Sequence, residues 1–197
     1  IVLLMQTVWM GVLLEWFLYK KAPSAQKIIS VIIVLIGTAL AINIFKIDFN
    51  DPTIDWSNGL FWGLLAAASF TTTMFTANKV ALGISSAQRS LYMLLGGAVI
   101  VFGFSLYTQV TPFNFEIFTK WGIVLALFGT IIPPMLLNAG FPLTGIGLGS
   151  IVSSLELPVS VMMAYFLLNE QVLLIQWIGI VLIITAIVIM NIQIKKK

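Results

Sequence analysis

Glu156 is a carboxylate deep inside an apolar run: residues 145–168 read GIGLGSIVSSLELPVSVMMAYFLL, with Glu156 near their middle. A membrane crossing needs roughly 20 residues, so this run spans with a charge-capable group near the midplane. An acid at that depth is costly unless a solute, a coupling proton or a partner helix uses it. On a helical wheel Gly145, Gly149, Ser153, Ser160 and Met163 fall within about 60° of Glu156, a small and weakly polar face. Pro158 has no N–H, so the carbonyl of Ser154 is expected to stand open beside the acid. Such a site suits a cationic or amine-bearing solute, or a proton. The plainer alternative is a protonated acid bonded to a hydroxyl across a helix contact.

Other polar groups recur inside apolar runs. Ser69, Thr72, Thr73 and Thr76 share one helix face, where they either line a cavity or bond back to carbonyls four residues earlier. Asn138 follows Pro133-Pro134, two residues that withhold donors and are expected to interrupt the helical ladder. Freed backbone groups at membrane depth are tolerated where protein or a water-filled cavity satisfies them. Tyr92, with Trp62, Phe70 and Tyr165, offers aromatic surface for a cation or for packing. The expected solute-binding set is therefore Glu156, Ser153, Ser69, Thr73, Thr76, Asn138 and Tyr92. Arg89, at the start of a span, is expected to anchor to lipid phosphates. Glu15 lies about one turn inside the belt Trp16-Phe17-Leu18-Tyr19-Lys20-Lys21 and is expected to snorkel to the interface.

The elements that must hold these residues follow from composition. Of 197 residues 60% are apolar and only 9% charged, against about a quarter charged in soluble proteins. The apolar runs do not alternate with polar residues, which points to helices and away from a β-barrel. We expect an all-α, polytopic helical membrane protein with seven transmembrane helices at 1–19, 28–45, 59–78, 90–107, 120–138, 145–168 and 172–193, in contact with the lipid bilayer. Gly59, Gly63 and Ala67 form a small-residue stripe suited to close helix approach.

The chain has no cysteine and no histidine, and Asp48, Asp51 and Asp55 share one connection. These facts argue against an enzyme, a metal site, a paired-aspartate centre or a cofactor. The net charge of +3 comes largely from clusters at span ends and reads as topology, with no nucleic-acid partner implied. Lys20, Lys21 and Lys27 put the first connection on the cytoplasmic side. Alternation then places Lys79 and Arg89, the Phe141-Pro142 loop and the Lys195-Lys196-Lys197 tail on that side too, and 46–57, 108–119 and Asn169-Glu170-Gln171 opposite. Ile1 opens inside an apolar run, so the natural start is expected upstream.

Spans one and two form a weak copy of spans six and seven, displaced by about 150 residues, with Gln6 facing Glu156, Trp16 facing Phe166, Lys20 facing Glu170 and Gln26 facing Gln176. The two turns lie on opposite sides, which is how an odd-numbered repeat inverts. The runs Ser154-Leu-Glu156-Leu-Pro158, Ala164-Tyr-Phe-Leu-Leu-Asn-Glu170 and Gln176-Trp177-Ile-Gly179 closely resemble the C-terminal helix pair of the EamA domain in the drug/metabolite transporter superfamily. Many members have proline directly after the glutamate, whereas Leu157 intervenes here, and Lys20 stands where the first pair usually has an acid.

The resemblance implies a ten-helix inverted-repeat bundle of five plus five helices in the cytoplasmic membrane. Residues 1–45 would be the last two helices of the first half, 46–58 an extracytoplasmic loop, 59–193 the complete second half and 194–197 a basic tail. Three further helices, roughly 90 to 100 residues with their loops, would precede Ile1. The implied function is a secondary transporter of a small organic metabolite or drug-like solute by alternating access, with a coupling proton and a homodimer both left open. The rival reading is a non-transporting membrane subunit or scaffold; every connection is too short to be an exposed interaction domain.

Overall fold

The computed structural model describes residues 3–49, 51–110, 115–116 and 118–192. The Lys195-Lys196-Lys197 tail and part of the 108–119 connection lie outside them. Every regular element among the described residues is helical. The helices are α1 (Thr7–Tyr19), α2 (Ala25–Ala41), α3 (Trp56–Lys79), α4 (Ser86–Thr108), α5 (Ile123–Thr144), α6 (Ile146–Leu168) and α7 (Leu174–Asn191). The last five are long and apolar enough to cross a membrane, whereas α1 and α2 have 13 and 17 residues.

Local chemistry sets most of the ends. Ser24 caps α2 by accepting from the Lys27 N–H at 3.3 Å. Ser85 and Gln88 form a reciprocal capping box at α4, each side chain accepting from the other's N–H at 3.2 Å. Asp55 accepts from the Asn58 N–H at 3.1 Å at the start of α3. Lys20 and Asn169 end α1 and α6 in left-handed conformations.

Two helices depart from the expected outline. The prolines at 133 and 134 do not break α5: the preceding Ala126–Ile131 widens into a π-helical stretch and α-helix resumes at Ile132. The expected loop at Phe141-Pro142 is instead the last part of α5, and Gly145 at φ +80° is the turn. By contrast α6 is divided, with Ile146–Ser153 and Glu156–Leu168 joined through Ser154 and Leu155.

The chain divides into two compact units, Ile1–Phe75 with Thr144–Lys197, and Thr76–Leu143. In the first, α2 and α7 run antiparallel in close contact. Gln26 Nε2 donates to the carbonyls of Ile189 and, at 2.9 Å, Ile192. Ser30 Oγ donates to Ala186 at 3.2 Å, and Gln176 Nε2 to Ala41 at 3.0 Å. Gly37 and Gly179 meet midway: a Cβ at Gly37 would lie 2.8 Å from the Gly179 carbonyl oxygen. The first half of α6 packs on α1 through Gly11 and Ser150, whose hydroxyl lies 3.2 Å from the Val8 carbonyl and 3.0 Å from that of Gly147. Val8, Val12, Val31, Val34, Ile151 and Ala186 form one core cluster, and Met5, Ala41, Leu157 and Ile183 another. Of the α3 stripe, Gly63 abuts Leu3 and Ala67 is buried, while a Cβ at Gly59 would meet nothing within 4 Å among the described residues.

The second unit holds the end of α3 with α4 and α5. From Leu95 onward α4 has no buried residue among those described. Such continuous apolar exposure suits lipid or further helices and is untenable in water.

Candidate functional site

Glu156 opens the second half of α6, near the middle of the 23-residue Ile146–Leu168 span. Its position follows from the break before it. The amides of Ser154, Leu155 and Leu157 reach back only three residues, to the carbonyls of Ile151, Val152 and Ser154 at 3.2, 3.0 and 3.3 Å. The Ser154 carbonyl is therefore taken by the Leu157 amide, contrary to the expectation that Pro158 would leave it open. Leu157 and Pro158 are buried, which turns the preceding residue away from the core. Glu156 is exposed beside Leu155, Val159 and Met163. Among the described residues it has no hydrogen-bond or ion-pair partner.

Three of the hydroxyls expected to line a cavity bond to their own helices. Ser153 Oγ donates to Gly149 at 2.9 Å, Thr72 to Ala68 at 3.0 Å and Thr73 to Ser69 at 3.3 Å. Buried Thr71, outside the expected stripe, does the same to Ala67 at 2.8 Å. Ser69 is exposed, and Thr73 and Thr76 are half-buried. In the first unit Ser153 and Glu156 lie on either side of the helix break; Ser69 and Thr73 belong to α3.

In the second unit Asn138 is 1% exposed and inside a polar knot. Its Nδ2 donates to Ser90 Oγ at 2.9 Å and lies 3.3 Å from Met93 Sδ. Tyr92 is exposed and, two positions beyond Ser90, points away from Asn138. The structure thus does not bring Tyr92 and Asn138 together. Arg89 belongs to this knot. It is buried, donates from Nη1 to the Ala77 carbonyl at 2.8 Å and from Nη2 to that of Asn138. It is not the lipid anchor expected from its place at a helix start.

Glu15 likewise does more than snorkel: its carboxylate meets Lys27 Nζ at 2.5 Å, and Gly147 leaves the room. The pair borders an open cavity of about 550 Å³ between the end of α1 and the start of α2, which Trp16, Tyr19 and Lys21 also line. Sequence reasoning missed this pair, the Arg89 knot and the bridging glutamines Gln26 and Gln176. One signal existed for the knot: Pro142 lies four residues after Asn138, so the Asn138 carbonyl must lack its helical donor.

No group of three or more metal-binding side chains occurs among the described residues. In the connection before α3, hydrogen bonds from Thr53 hold the Asp51 carboxyl below its usual range, and hydrogen bonds from Asn58 do the same for Asp55. The chemistry on offer at the middle of α6 is one uncompensated carboxyl group, able to hold a proton or meet a cation.

A family model described as the EamA-like transporter family matches residues 57–192, more than half of the chain. No curated protein and no solved structure matches at a significant level.

Proposed function

The chain belongs to the EamA-like transporter family, and on that premise we propose that it is a secondary transporter carrying a small organic metabolite or drug-like solute across the cytoplasmic membrane by alternating access. An ionisable side chain within a membrane span is costly and marks a functional site. The observation that carries the reading is Glu156, exposed and unpaired among the described residues at the middle of α6. Its chemistry favours an amine-bearing or cationic solute, with the same carboxyl available to a coupling proton. Residues 1–45 act as the end of a first half and 59–193 as a second half, with the basic connection at Lys20, Lys21 and Lys27 and the basic tail cytoplasmic.

The α2–α7 seam supports the repeat in this reading. Gln26 and Gln176, separated by the displacement of about 150 residues that the two helix pairs show in the sequence, each donate a side-chain amide to carbonyls at the C-terminal end of the other's helix. Antiparallel helices related by a two-fold axis make such reciprocal contacts.

Uptake by the full-length protein in proteoliposomes tests the proposal, screened over amino acids, amines, cationic dyes and organic anions with Glu156→Gln beside the wild type. We expect saturable uptake of an amine-bearing solute that the variant loses while keeping its helical content. Unchanged uptake and pH dependence in the variant overturn the role of Glu156. Absence of uptake across amines and dyes, with uptake of anions instead, overturns the solute class.

A further inference from the structure

We infer that Arg89 is a helix lock: its guanidinium replaces the amide proton that Pro142 lacks and clamps the last turn of α5 to the end of α3. In an unbroken helix the Asn138 carbonyl would accept from the N–H of residue 142, and proline has none. A carbonyl left bare in the interior is costly, and the turn containing it should open. Arg89 Nη2 donates to that carbonyl, while Nη1 donates to Ala77, in the last turn of α3. Asn78 Nδ2 adds a bond to the Phe141 carbonyl, again in the last turn of α5. Side chains from two neighbouring helix ends thus do the work of the missing ladder, which is why Pro142 lies inside α5 and does not end it.

The electrostatics agree with a lock and explain why no acid is needed. The other side chains that build the knot, those of Asn78, Ser90, Met93 and Asn138, are all neutral. A buried guanidinium ordinarily demands a counter-charge. Here Nη1 meets the carbonyl end of α3, which carries a partial charge of about −0.5, and Nη2 meets the Asn138 carbonyl whose helical donor Pro142 lacks, so negative dipoles face it from two helices. Arg also suits the task sterically, because its planar fork reaches two separate carbonyls at once and the single ammonium of Lys does not. Gly140 and Gly145 flank Pro142, so the backbone on either side has conformational freedom that these side-chain bonds restrain.

The lock makes a specific prediction of non-additivity, whatever the solute. In full-length protein, Arg89→Met should lower the melting temperature by roughly 5–10 °C and speed amide exchange over residues 139–144. Arg89→Lys should fall between, and keeps the test open if the Met variant fails to fold. Pro142→Ala returns a donor to Asn138, so in that background the loss caused by either Arg89 substitution should shrink by half or more, with exchange over 139–144 slowed again. Equal losses in the two backgrounds, or no change in exchange in this turn, overturn the lock.

Discussion

Substituting Gly179 by alanine should destabilise the protein although alanine is the better helix former. A Cβ at Gly179 would lie 2.5 Å from the Gly37 carbonyl oxygen and closer still to the Ala41 amide nitrogen, against 3.4 Å or more for an ordinary contact. The obstacles are backbone atoms, so no rotamer change relieves them, and α2 and α7 must separate locally by about 1 Å. Ser30 to Ala186 at 3.2 Å and Gln176 to Ala41 at 3.0 Å cannot survive that shift. Each lost bond costs about 1 kcal/mol, and the residual strain at least about 1 kcal/mol. Alanine returns about 1 kcal/mol through helix propensity. The expected net loss is therefore about 2 kcal/mol or more, read by equilibrium unfolding in detergent micelles. Gly96→Ala in α4 is the control: among the described residues nothing lies within 4 Å of where its Cβ would stand, so it should gain up to about 1 kcal/mol. If Gly179→Ala proves as stable as Gly96→Ala, the close packing of α2 on α7 is wrong.

Two further outcomes can be checked. Lys27→Met leaves Glu15 without its cation; for a pair whose side chains are 21% and 26% exposed the loss should be about 1 kcal/mol or less. Gly147→Ala, which forces Glu15 aside, should make the same Lys27 substitution nearly silent in thermal unfolding. Asp51 and Asp55 have depressed folded-state values, so their stabilising hydrogen bonds are complete above the ordinary 3.8 and are lost as pH falls below it. NMR titration of the side chains should show both midpoints below 3.8, with Thr53→Val moving Asp51 upward and Asn58→Ala moving Asp55 upward.

Much of the fold was legible because helix formation in a membrane is a local decision. Apolar length and capping residues such as Ser24 and Ser85 locate helices without reference to the rest of the chain. Boundaries failed where a distant group intervened. Pro142 reads as a loop from its neighbours alone, whereas the carbonyl its missing N–H leaves free is met by Arg89, 53 positions earlier in the chain, and the Phe141 carbonyl by Asn78. The π-helical stretch before Pro133 escaped because apolar periodicity does not register one extra residue per turn. Within the expected site the same contrast holds: Glu156 was conspicuous as an acid at mid-span, whereas the partners of Asn138 could not be read from its surroundings in sequence.

By itself, then, the sequence determined a helical membrane protein of the EamA-like family with an acid near the middle of one span, because hydrophobic length and the cost of a charge at depth are properties of contiguous residues. Tertiary structure decided which polar groups are used up and which remain open. Arg89 and Lys27 are committed to partners that packing brings to them, and the buried neighbours of Glu156 turn its carboxylate outward. The physical reason is that an orphaned carbonyl or a paired charge depends on which helix end arrives beside it, and a contact such as Gln26 with Ile192 joins residues 166 positions apart.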